Sequence, residues 1–229
     1  MKIFFMMMAA GCLWADGPGK LESKYTGSDF ALTADPNNVV WKTVKPVYAY
    51  NDRYGKPVPG HRTELRSRWT TEYLYILYVC PYEKLYLKPE PKTSEETNKL
   101  WDWDVAEAFI GSDFQNINRY KEFQVSPQGE WVDLDIDRVT PVSEAWKWNS
   151  GFQVKARVDE KKKIWYAEMK IPMKALDAAK PATAGKEFRC NLYRIQGPFE
   201  PQRKHIAWNP VNAESYHTPE AFGRLVLVR

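Results

Sequence analysis

From Gly19 onward the chain alternates apolar and polar residues in short runs of period two, broken by turn residues, with almost no stretch of helical period. In a strand, successive side chains point to opposite faces. A chain made of such runs must bury one face of each strand against another sheet, which leaves a sandwich or a barrel as the available architecture. Glu64–Trp69 and Tyr73–Val79 flank the turn Thr70-Thr71-Glu72 and predict a hairpin. Further strands are predicted at Val105–Ile110, Arg119–Val125, Trp131–Ile136, Gly151–Val158, Ile164–Ile171, Phe188–Ile195, Lys204–Trp208 and Arg224–Val228. Pro172–Leu176 can begin one short helix in a region closed by Gly185. The prediction is an all-β chain: one antiparallel β-sandwich of jelly-roll type over residues 21–229, with at most a short helix. A chain of 229 residues can bury such a core without staples.

Charge excludes one class of partner. Thirty-three Lys and Arg face 29 Asp and Glu, and the two signs are interspersed. The basic run Lys161-Lys162-Lys163 lies between two predicted strands and reads as a solvated hairpin tip. No basic stripe suits a nucleic acid. The N-terminus, MKIFFMMMAAGCLWADGPGK, has one lysine, an eight-residue apolar run and then small residues. That is a secretory leader pattern over residues 1–20, too short to span a bilayer. Ala9-Ala10-Gly11-Cys12 is close to a lipobox, in which Cys12 would carry a lipid anchor; the alternative is simple cleavage near Ala15. The expected location is outside the cytoplasm: periplasmic, on the cell surface as a lipoprotein, or secreted. Cys80 and Cys190 each sit in an apolar strand pattern, which favours buried free thiols, although an exported pair can also bridge.

The stretch LWDWDVAEAFIG at Leu100–Gly111 breaks the pattern. It sets two tryptophans, two aspartates and a glutamate before and within an apolar strand. Glu107 shares parity with Val105 and Phe109, and burying a carboxylate there without a partner costs several kcal/mol. On the next strand Phe123 and Val125 point one way, and Glu122 and Gln124 the other. On the strand after that, Val132, Leu134 and Ile136 oppose Trp131, Asp133 and Asp135.

These segments, in order, resemble the family 9 carbohydrate-binding modules and their DOMON-type relatives. The resemblance begins at Trp41 and LRSRWTTEYLYILYV, and continues through LWDWDVAEAFIG, RYKEFQVSPQGEW, WYAEMKIPMKAL and FRCNLYRIQG. It closes with AWNPVNAESYHTPEAFGRLVL, whose W-x-P and H-x-P-E-x-F-G-x-L are its most specific part. It implies a non-catalytic jelly-roll domain in which two aromatic rings stack on a sugar and polar side chains bind its hydroxyls. A pyranose offers C–H groups to a π-face, and its hydroxyls bond best to charged partners. By position, Trp101 matches one stacking ring, Glu107 the hydroxyl-accepting glutamate, and Tyr216 the second stacking ring, usually Trp. Gln124 stands where a basic residue occurs, Tyr193 where a glutamine does, and Ala213 replaces an amide; Trp103 and His217 are local substitutes. The implied partner is a mono- or oligosaccharide, such as the chain ends of a plant-type polysaccharide, and the implied role is support of carbohydrate breakdown by partner enzymes.

Other chemistries have weaker patterns. Asp102 to Glu107 approximates the E-x-D-x-x-E of a jelly-roll glycoside hydrolase, with Asp102 and Glu107 as the carboxylate pair. A haem redox domain would draw axial ligands from Met169, Met173, His205 and His217, which no spacing pairs. His61 and His205 lack a partner at zinc spacing. Asp133, Asp135 and Asp137 start like a calcium loop, but Arg138 occupies the turn-glycine position, so they read as a solvated strand face. Some relatives hold a structural calcium, and no residue here is assignable to one.

Overall fold

The structure is a computed structural model that describes residues 19–139, 145, 148–199 and 201–229. The leader, including Cys12 and Ala15, lies outside the described residues. Twelve strands make one sheet that folds over on itself: β1 Lys20–Tyr25, β2 Val47–Ala49, β3 Thr63–Trp69, β4 Tyr73–Pro81, β5 Val105–Gly111, β6 Arg119–Val125, β7 Trp131–Asp137, β8 Gln153–Asp159, β9 Ile164–Pro172, β10 Glu187–Gln196, β11 Lys204–Ala207 and β12 Gly223–Val228. The order is β7-β6-β5-β10-β12-β1-β3-β4-β9-β8, with β11 paired to β10 and β2 to β3. Among the described residues, two short helices, α1 Val39–Lys42 and α2 Met173–Leu176, join the strands beside short 3₁₀ turns.

The expected β-sandwich is therefore present. Its main core lies between the two halves of the sheet. Ala106, Ala108 and Ile110 of β5 and Phe123 and Val125 of β6 meet Ile76, Tyr78 and Cys80 of β4 and Trp165 and Met169 of β9. The Tyr78 hydroxyl crosses this core and donates to the Glu107 carbonyl at 2.7 Å. Cys80 and Cys190 are buried free thiols in the same core. All strand pairs are antiparallel except those of β1, which runs parallel to both β12 and β3. β1 thus closes the fold where a hairpin cannot.

Two smaller clusters lie on the outer faces. On the β4 side Tyr75 and Leu77 pack against Trp41 of α1. On the β5–β6–β7 side Val105, Phe109, Tyr120, Val132, Leu134 and Ile136 gather with Tyr193 and Tyr216. The alternation in β5, β6 and β7 therefore separates two buried faces, not a core from solvent. One reading from the sequence is corrected here. Asp133 is no solvated residue: it is buried on the main-core side, and its Oδ2 accepts the Ser150 backbone N–H at 3.0 Å. Asp135 of the same face does reach solvent, in an ion pair with Lys121 at 2.5 Å.

Candidate functional site: an aromatic cleft with a carboxyl floor

Strands β5 and β6 build the floor. Their register sets Glu107 opposite Gln124 and Phe109 opposite Glu122. Glu107, Glu122 and Gln124 project to the outer face, and all three are buried. The Gln124 side-chain amide donates to both carboxyl groups, at 2.9 Å to Glu107 Oε1 and 2.5 Å to Glu122 Oε1. Each carboxyl keeps a second oxygen, Oε2, with no hydrogen-bond partner, and so does Gln124 through Oε1. Burial pushes the Glu107 carboxyl well above the usual carboxylate range, and the adjoining Glu122 pushes it further. Burial likewise pushes Glu122 up to about 8, against the lowering effect of its Gln124 hydrogen bond. With both carboxyls raised, the pair is held in its protonated form near neutral pH, and two like charges this close resist joint ionisation.

Above this floor is a cleft of about 280 Å³. That is near the lower end for small-molecule sites, about 300–1,000 Å³. Trp101 and Tyr216 line it, with Phe109, Leu134, Ile136 and Ile195 supplying apolar surface. Trp101 rises from the 3₁₀ turn Leu100–Asp102, anchored by buried Leu100. Arg203 holds that turn by donating to the carbonyls of Trp101 and Asp102. Tyr216 comes from the loop after β11, and its ring stacks on Tyr193 with centroids 4.0 Å apart. The Tyr193 hydroxyl donates to the Tyr216 carbonyl at 3.2 Å and accepts from Asn191 at 2.8 Å. The Tyr216 hydroxyl is buried without a partner. At the rim, Arg53 pairs with Glu214 at 3.5 Å.

His217 also lines the cleft. Its Nδ1 shares a hydrogen bond of 2.6 Å with the Tyr120 hydroxyl, and its Nε2 lies 3.9 Å from Glu122 Oε2. Burial, helped by Arg138, pushes its pKa down to about 4, so the ring is neutral at physiological pH.

The structure thus brings Trp101, Glu107 and Tyr216 to one cleft. Gln124 and Tyr193 stand one layer behind, fully buried, Gln124 bonded to both carboxyls and Tyr193 backing the Tyr216 ring. Of the two local substitutes, His217 is in the cleft, whereas Trp103 stacks on Tyr86 at 4.9 Å, outside the lining. Asp102 is not among the lining residues, so the carboxylate pair Asp102/Glu107 is not assembled in the cleft. Asp104 is structural: its carboxylate accepts from the backbone of Tyr86 and Gly197 and from Gln196. Met169 and Met173 lie in the main core, while His205 and His217 line the cleft, so the Met and His candidates for a haem are not brought together. The described residues contain no cluster of three or more His, Cys, Asp or Glu suited to a metal. Glu122 and Arg53 were not singled out from sequence, and His205 was weighed there only as a haem or zinc ligand. For Glu122 the signal was available, since parity already placed it beside Gln124.

A β-sandwich carrying a cleft with aromatic walls and a carboxyl floor on the outer face of one sheet is the architecture of a carbohydrate-binding domain. Residues 33–229 match the model of the carbohydrate family 9 binding domain-like family, and the chain belongs to that family. It is 25% identical over 186 residues to a protein of Arthroderma benhamiae named "Extracellular protein", covering 76% of this chain and 81% of that one. Its fold is similar to that of a family 9 carbohydrate-binding module from Caldicellulosiruptor kristjanssonii solved with cellotriose. The TM-score is 0.65 at 13% identity, over 92% of this chain and 94% of that one. The structure of a family 9 module from the same organism with glucose gives 0.64 at 13% identity, over 92% and 97%.

Proposed function

We propose that this chain is an exported, non-catalytic sugar-binding domain that seats a pyranose ring between Trp101 and Tyr216, over Glu107. The observation that carries this reading is the set of unpartnered polar atoms. Glu107 Oε2, Glu122 Oε2 and the Tyr216 hydroxyl belong to residues lining one aromatic cleft. Buried polar atoms are otherwise almost always satisfied, and a ligand rich in hydroxyls satisfies these while its C–H face meets the rings. The family 9 structures with cellotriose and glucose support the same class of ligand.

Gln124 and Tyr193 act from behind, fixing the carboxyls and the Tyr216 ring. The domain contributes to carbohydrate breakdown through partner enzymes. Both carboxyls rise from neighbouring strands on one side of the cleft, whereas glycoside hydrolysis needs them flanking the scissile bond. Export is supported by the apolar leader and by the name of the Arthroderma relative, either with a lipid anchor at Cys12 or by cleavage near Ala15. Calorimetric titration of the purified domain with a panel of mono- and oligosaccharides tests the central claim. Saturable binding without turnover is expected. A domain that binds no saccharide, or that hydrolyses one and loses turnover in Glu107→Gln, would refute it.

A further inference from the structure

Two carboxyl groups, Glu107 and Glu122, line this cleft side by side. Glu107 and Glu122 are bridged by a single amide donor, Gln124 Nε2. Among the described residues no lysine or arginine forms an ion pair with either. The groups around them supply little positive charge. Arg53 at the rim is paired with Glu214, and Arg203, held on the carbonyls of the Trp101 turn, acts on Glu107 by its charge alone, less strongly than burial and Glu122 do. His217 is hydrogen-bonded to Tyr120 and stays neutral, and His205 packs edge-on to Tyr216 with centroids 5.4 Å apart. The Tyr216 hydroxyl completes the polar lining.

We propose that the cleft selects pyranoses bearing a free, protonated amino group, of the glucosamine type, over neutral sugars, with the ammonium held between Glu107 Oε2 and Glu122 Oε2. This rests on reading the cleft as a sugar slot. An ammonium has three N–H donors and no acceptor. The lining offers three unpartnered oxygens able to accept: two carboxyl Oε2 atoms and the Tyr216 hydroxyl. A neutral sugar meets the same oxygens with the pair protonated, because burial and the adjoining Glu122 raise Glu107 by more than the charge of Arg203 lowers it. An ammonium supplies a counter-charge. Binding then ionises one carboxyl: protein–CO₂H and R–NH₃⁺ become protein–CO₂⁻ paired with R–NH₃⁺, and one proton leaves to solvent. The adjoining ring faces add cation–π attraction.

The experiment is calorimetric titration of the wild-type chain with glucosamine hydrochloride, glucose and N-acetylglucosamine at pH 6.5 and matched chloride. Each is run in two buffers of different ionisation enthalpy. Glucosamine should bind at least about tenfold more tightly than the two uncharged sugars, the scale of a charge-assisted hydrogen bond. It should also release about one proton per site, as linkage requires, while the uncharged sugars release none. In Glu122→Gln the preference for glucosamine over glucose should collapse. Glucose binding as tightly as glucosamine, or glucosamine binding without proton release, overturns the inference and leaves the sugar slot standing. Failure of every saccharide to bind removes the slot and the inference with it. The wild-type comparison decides the matter even if the variant misfolds.

Discussion

At the scale of single residues, the two aromatic walls differ in what they do for the fold. Trp101 is only partly buried, on a turn at the edge of the outer cluster. Tyr216 is 8% exposed and stacked on Tyr193. Trp101→Ala should therefore cost about tenfold in sugar affinity, or ~1–2 kcal/mol, with a change in unfolding free energy below about 1 kcal/mol. Tyr216→Ala should lose affinity and also about 3–5 kcal/mol of stability, as buried aromatic truncations do. Paired titration and denaturant unfolding check both, and equal stability losses would contradict the assignment. The carboxyl pair sets a pH dependence with a definite sign. Burial raises Glu122 to about 8 in the folded chain, against about 4.3 when unfolded. The native state holds the proton that the unfolded chain has lost, so this group makes stability fall as pH rises through that window and level off above it. Thermal unfolding should show a shallower decline between pH 5 and 8 for Glu122→Gln than for the wild type; parallel curves would contradict a raised Glu122. Parity showed that Glu122 and Gln124 share a face. It could not show that this face is a second buried surface, because Val132, Leu134 and Ile136 look the same in sequence whether they meet the main core or a cleft.

At the scale of elements, the strands from β3 to β12 were legible because each carries its own alternation or apolar run, and turn residues mark its ends. β1 was not. KLESKY holds one aliphatic residue, and its burial of Leu21 and Ser23 depends on parallel partners distant in sequence, β3 and the C-terminal β12. Such pairing leaves no local signal. Its seam with β12 is tight. At Gly223 an added Cβ would meet the Gly19 carbonyl oxygen at 2.4 Å and Asn209 Nδ2 at 2.6 Å. Backbone cannot yield as a flexible side chain does, so Gly223→Ala should cost about 1–3 kcal/mol, as overpacking does. Equilibrium denaturation measures it, and an unchanged midpoint would show that the β1–β12 seam is looser than it stands. The loop at residues 81–99 is long enough to suggest a role in binding. None of its residues lines the cleft; instead Tyr86 stacks on Trp103, and Thr97 donates to the Trp131 carbonyl.

At the scale of the whole molecule, the sandwich forms without a disulfide between its core cysteines, which apolar packing alone suggested. Burial pushes the Cys80 thiol up to about 12 and raises Cys190 as well. Neither should react with a thiol reagent in the native state, whereas both should react on unfolding; labelling followed by peptide mapping checks this, and native labelling at either position would show an opening into the core. The site was legible to the extent that family positions and an out-of-place carboxylate marked Trp101, Glu107 and Tyr216. The rest depends on loops meeting from distant parts of the chain: Arg53, Glu214 and His217 come together only in the folded state. The hydroxyl of Tyr78 reaching across to the Glu107 carbonyl has a consequence in time. Loops and surface turns fluctuate in nanoseconds to microseconds, but a strand held by two neighbours and by the opposite half of the sheet moves only when the domain opens as a unit. The backbone beneath the cleft therefore keeps its shape for as long as the protein stays folded. A ligand seated on that floor would owe its dwell to the contacts it makes, since the floor has no gate to open.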